Sequence, residues 1–260
     1  MKKFIKLYWK TLLFFTIVGL IGGFFVGIYT LDSYPEEIRQ QLLEEINASG
    51  LGGIPVHILL GMISALQSAG YGLVLGAFGI LLGKKIGLWK DERQITTKPL
   101  TFSVIVSIVG GLVLILPDLF FFGHYSEAIM NSYASKPTIP YLLATVTYGA
   151  VIEEVMLRLF LMSLIAFVLH KIFDRKNATP NTAILVIANI VASLLFAAGH
   201  LPATFAMIGN SSLIIFRCFL LNGALGLLFG WLYRKYGLRY AMIAHGGCHI
   251  VSKLIWILFI

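Results

Sequence analysis

Apolar runs of about twenty residues or more recur along this 260-residue chain, at about residues 11–30, 54–82, 100–122, 139–169, 182–208, 213–233 and 240–260. At about 1.5 Å rise per residue, twenty residues match the roughly 30 Å hydrocarbon core of a bilayer. In hydrocarbon a lone segment satisfies its own backbone hydrogen bonds only as a helix. The expected fold is therefore all-α, a polytopic membrane helical bundle of about seven transmembrane helices. With 58% of residues hydrophobic, 12% charged and a mean hydropathy of +0.87, a soluble domain of this size has no means of covering its apolar surface.

The placement of charge orients the bundle. With the N-terminus cytoplasmic, inner segments carry Lys2, Lys3, Lys6 and Lys10, then Lys84, Lys85, Lys90, Arg93 and Lys98, then Lys171, Arg175 and Lys176, then Arg234, Lys235 and Arg239. Outer segments hold only Arg39 and Lys136, whereas the acidic residues Asp32, Glu36, Glu37, Glu44, Glu45, Asp118 and Glu127 fall outside. Basic loops on one side satisfy the positive-inside rule. The net charge of +8 thus marks topology and contact with anionic headgroups of the lipid bilayer, and argues against nucleic acid as a partner.

The chain reads as one integral membrane domain over residues 1–260. The first span starts basic, as a signal peptide does, but its long apolar run without a small-x-small site reads as a retained anchor. Residues 33–46 carry Ile38, Leu42 or Leu43, and Ile46 at the spacing of a short interfacial helix after Pro35. Gly72, Gly76, Gly79 and Gly83 in the second span stand at small-xxx-small spacing and read as helix packing. Cys218 and Cys248 both fall within spans, so neither a disulfide scaffold nor a zinc-binding Cys pair is indicated.

Three charges interrupt the run 139–169: Glu153, Glu154 and Arg158. A charge near the bilayer centre costs roughly 2.5–3.5 kcal/mol on insertion scales, so such a cluster reads as a functional site. On a helix, Glu154 and Arg158 at i, i+4 share a face and can pair, while Glu153 projects about 100° away, free to face a cavity as a general base. His200 ends Phe196-Ala-Ala-Gly-His200 just before Pro202, and His245 and His249 stand one turn apart with Lys253 a further turn along. Three histidines and a glutamate pair within apolar helices outweigh the reading of any one of them as a core residue. His57, His124 and His170, at span ends, keep that plainer reading.

In this order the motifs resemble the CPBP family, the CAAX prenyl endopeptidase and bacteriocin-processing (Abi-type) intramembrane proteases. Glu153-Glu154-Val-Met-Leu-Arg158 matches E-E-x-x-x-R, Phe196 to His200 matches F-x-x-x-H, and His245-Gly-Gly-Cys-His249 resembles H-x-x-x-N. The resemblance covers about residues 141–260, leaving residues 1–100 as accessory spans. It implies that Glu153 and His200 activate a water, that Glu154 and Arg158 support the site, and that His245 stabilises the oxyanion. His249 departs from the family's Asn, although an imidazole N–H also donates a hydrogen bond. Leu159 stands where a small residue follows the Arg, a change expected to alter local packing only.

The expectation is an intramembrane endopeptidase of a bacterial plasma membrane acting on a membrane-associated protein or peptide, without a cofactor. Two alternatives stay open: a zinc protease with Glu153, His200, His245 and His249 as ligands, and a non-catalytic bacteriocin-immunity protein that binds peptide. A proton-coupled transporter, which would also use buried Glu and His, lacks the matching halves of an internal repeat.

Overall fold

The computed structural model describes residues 2–50, 53–90 and 94–260, and Arg93 of the inner basic residues lies outside them. The described residues form helices and no strand. They comprise α1 (Lys2–Ser33), α2 (Glu36–Ala48), α3 (Val56–Lys85), α4 (Thr97–Tyr125), α5 (Glu127–Ser132), α6 (139–173), α7 (Thr182–Met207), α8 (Ser212–Tyr236) and α9 (Leu238–Phe259). Six of these, α1, α3, α4, α7, α8 and α9, are long and apolar enough to cross a membrane. The remaining expected span is α6, a continuous helical run that carries the three charges. The protein is an integral, multi-pass, all-helical membrane protein.

Large apolar side chains face outward, as at Leu66, Phe78 and Phe120, while the interior mixes large apolar residues with small and polar ones. Helices in lipid associate through close backbone approach rather than through an excess of buried leucine. Gly23 of α1 illustrates this, since a Cβ there would stand 2.5 Å from Ser68 Oγ on α3. Helix α2 buries no residue, as expected of a short helix outside the bundle.

Helix α6 runs through the centre, where Ile152, Val155, Leu159, Met162 and Ala166 are fully buried. Over Thr145–Glu153 and again over Val155–Met162 it is wound in the wider i→i+5 register. Such widened turns in an α-helix are frequent at functional sites. The turn into α7 is fixed by Asp174, which accepts from Asn177 Nδ2 (2.5 Å) and the Asn181 backbone N–H (2.8 Å) and faces His170 Nδ1 at 3.7 Å. Asn181 in turn caps α7 by accepting from the Ile184 N–H at 3.1 Å. His170 is thus structural, as its position at a span end suggested.

Asp118, read from the sequence as an outer acidic residue, is instead fully buried in a widened turn of α4. Its carboxylate accepts from Arg217 Nε and Nη2, each at 2.5 Å, and from the Tyr133 hydroxyl at 2.8 Å. Pairing with Arg217 of α8 is what allows a carboxylate to remain there.

Candidate active site

Glu154 is fully buried on α6 and meets two basic side chains. Its Oε1 lies 3.4 Å from Arg158 Nη1, the pair expected from their spacing, and 2.9 Å from His245 Nδ1 on α9. The contact with His245 crosses between helices and has no local sequence signal. Arg158, 1% exposed, also donates to the Gly226 carbonyl at 3.0 Å. Its guanidinium stands over the rings of Phe196 (4.7 Å) and Phe229 (5.6 Å), so α6, α7 and α8 all hold this one side chain.

The Glu154 contact also fixes how His245 presents its ring. A carboxylate only accepts, so Nδ1 carries the proton and Nε2 points the other way. Stacking on Phe229, with ring centroids 4.5 Å apart, holds that orientation. Nε2 then faces Glu153, whose Oε2 is 3.8 Å away and whose side chain keeps 18% of its surface open. The two neighbouring glutamates therefore separate as expected, one locked in a buried pair and the other partly open, but His245 stands between them.

His200 sits at the break between Thr182–Gly199 and Leu201–Met207, with Pro202 beyond it. Its Nδ1 is 2.9 Å from the Phe196 carbonyl, which only accepts, so a neutral His200 keeps its lone pair on Nε2. Phe196 links it to the cluster: that ring is 4.7 Å from the His200 ring and 6.1 Å from the His245 ring, measured between centroids. Among the described residues no hydrogen bond or ion pair joins His200 to Glu153 directly. His249 lies beside His245 at 5.1 Å between rings. A Cβ added to Gly149 on α6 would stand 3.3 Å from His249 Nε2 and 3.9 Å from His245 Nε2, so both nitrogens face the bare backbone at Gly149.

Among the described residues five buried polar atoms have no hydrogen-bond partner: Glu154 Oε2, Arg158 Nη1 and His249 Nδ1 in this cluster, and His170 Nδ1 and the Tyr236 hydroxyl away from it. Buried polar atoms are nearly always paired, so each of these calls for an explanation. His200 and His245 each engage Nδ1 with a protein acceptor and leave Nε2 open, and among the described residues no group of three or more His, Cys, Asp and Glu is arranged to hold a metal.

Leu159, the other departure from the family pattern, is fully buried against α3. A Cβ at Gly79 would meet Leu159 Cγ at 2.6 Å, so the absent side chain of Gly79 supplies the room that Leu159 fills. A glycine read only as helix packing thus accommodates a residue next to the site.

Residues 135–251, which hold the three motifs, match the family model for type II CAAX prenyl endopeptidase Rce1-like proteins. No curated protein and no solved structure matches the chain. Through this matched segment the chain is similar to the CPBP family of intramembrane proteases, the family its motifs resemble.

Proposed function

We propose that the protein is a glutamate-type intramembrane endopeptidase that hydrolyses a peptide bond of a membrane-associated protein or peptide. Residues 141–260 form its catalytic core, residues 1–100 are accessory spans, and the chain resides in a bacterial plasma membrane. What supports the reading above all is the Glu154–His245–Glu153 arrangement, in which a locked carboxylate aims an imidazole at an open one.

Glu153 and the Nε2 lone pair of His200 hold a water for attack on the scissile carbonyl. Glu153 takes one proton, the hydroxide oxygen bonds to the carbonyl carbon, and the carbonyl electrons move onto oxygen. His245 donates to that oxyanion from Nε2 when its ring carries both protons, and His249 Nε2–H donates from the next turn. Collapse breaks the C–N bond, and the proton held by Glu153 passes to the leaving nitrogen. The products are a carboxylic acid and an amine, between which a proton then passes to give carboxylate and ammonium, and Glu153 is restored.

The full-length protein in lipid nanodiscs, mixed with lipid-anchored peptides, tests this by mass spectrometry of the new termini. Cleavage that falls on the order of 10²–10⁴-fold in Glu153→Gln is the expected outcome. Cleavage unaffected by that change, or none at all across a diverse peptide set, would remove the mechanism.

A further inference from the structure

A cavity of about 510 Å³ opens between the start of α1, the segment that follows α3 and the turn from α8 to α9, at the end of the bundle that the basic residues mark as cytoplasmic. Its size falls within the roughly 300–1,000 Å³ of ligand pockets. None of Glu153, His200, His245 and His249 lines it, and the reaction above gives it no task. One end is cationic. Lys90 lays its stem against the bare backbone of Gly237, where a Cβ would stand 3.5 Å from Lys90 Cβ, and its ammonium donates to the Lys235 carbonyl at 3.0 Å. An ammonium has three protons to donate, so two are left over. Arg239, partly buried in the first turn of α9, forms no hydrogen bond, ion pair or ring contact among the described residues, and no described acidic residue lines the cavity.

The other end is apolar, walled by Leu7, Phe14 and Phe15 of α1 and by Met242 of α9. Leu7 and Phe14 are 57% and 51% exposed, so this wall continues onto the lipid-facing surface of α1. Water solvates the cationic end but finds no partners along the apolar one, since an ordered water needs roughly two to four polar neighbours. A free anion leaves the apolar end equally bare. The occupant that satisfies both ends is an amphiphile with an anionic head.

We propose that this cavity binds one anionic diacyl phospholipid of the adjoining leaflet, with its phosphate between Lys90 and Arg239 and the first part of an acyl chain along Leu7, Phe14 and Met242. Basic pockets between membrane helices on the cytoplasmic side hold anionic headgroups in this way. The planar guanidinium can meet two phosphate oxygens at once, while the ammonium adds a point charge beside it. The site stands apart from the peptidase reading and does not rest on it.

The test counts lipid bound to the delipidated full-length protein by native mass spectrometry from detergent. Dioleoyl phosphatidylglycerol and dioleoyl phosphatidylcholine share their tails and differ in net charge, and glycerol phosphate offers the anion without tails. The first phosphatidylglycerol is expected to bind roughly tenfold or more tightly than either the first phosphatidylcholine or glycerol phosphate, as charge-assisted contacts joined to an apolar one imply. Lys90→Gln with Arg239→Gln should bring phosphatidylglycerol down to the level of phosphatidylcholine. Arg239→Gln alone, at a side chain with no partner to lose, should show part of that loss in a folded protein. Arg175→Gln with Lys176→Gln, which removes the same charge from exposed positions between α6 and α7, should leave the preference intact. Equal affinities for the two lipids, binding of neither, glycerol phosphate bound as tightly as phosphatidylglycerol, a preference that survives Lys90→Gln with Arg239→Gln, or one lost equally with Arg175 and Lys176 would overturn the proposal.

Discussion

Glu154→Gln isolates the buried charge pair with little change in shape. Glutamine keeps an oxygen that can accept from His245 Nδ1, so the 2.9 Å contact can persist. What disappears is the negative charge 3.4 Å from Arg158, in a pocket where neither side chain is more than 1% exposed. Breaking a buried pair by removing one partner costs about 3–5 kcal/mol, because the remaining charge is uncompensated. Arg158 retains the Gly226 carbonyl and the faces of Phe196 and Phe229, so the lower end, about 3 kcal/mol, is expected. Reversible unfolding in mixed micelles measures the loss, and the double variant Glu154→Gln, Arg158→Met should recover most of it, since an apolar replacement of both partners is often close to neutral. A single variant within about 1 kcal/mol of the parent, or a double variant no better than the single, would refute the reasoning.

Three further outcomes follow from the geometry. His249→Ala should lose on the order of 10²–10³ in cleavage rate while His249→Asn keeps much of it, because an amide N–H can replace the imidazole donor. Equal loss in both, relieved by added zinc and deepened by a chelator, would favour the metal reading instead. Gly79→Ala should destabilise the protein by about 1–3 kcal/mol through overpacking against Leu159, and Leu159→Ala in the same chain should restore part of that; additive losses would show that the two do not share one space. The Asn177 side chain and the Asn181 backbone N–H hold Asp174 below the usual carboxylate range. Its contribution to the α6–α7 turn is therefore complete above about pH 4 and fades as pH falls through the lower folded value, so the protection of the Asn181 amide relative to its intrinsic exchange rate should fall in acid, and in Asp174→Ala it should be low at every pH.

The spans were legible because lipid demands one kind of run, apolar and helical, and the Glu154–Arg158 pair was legible because i, i+4 is a local distance. The pairing of Glu154 with His245 was not, since ninety-one positions separate them and only the packing of α9 on α6 joins them. The burial of Asp118 was not legible for a similar reason: its partner Arg217 lies on another helix. The role of Gly79 could not be seen before Leu159 was known to press against it. The motif order carried the site further than any single motif, yet the indirect link of His200 through Phe196 emerged only in three dimensions.

The two widened stretches of α6 give this helix an uncommon relation between length and direction. A widened turn holds one residue more than an α turn, so it amounts to an insertion that the helix has absorbed. Deleting a single residue such as Val151 would let the first stretch relax to the α register, with the chain still helical and still spanning the bundle. The residues beyond the deletion would keep nearly the bearing they had, because the α register turns more per residue than the widened one and makes up for the residue removed. Glu153 and Glu154 would each keep its own side of the helix relative to Gly149. For α6, the loss of one residue is tolerable inside a widened stretch, whereas the same loss in an α stretch would turn the far end by about 100°.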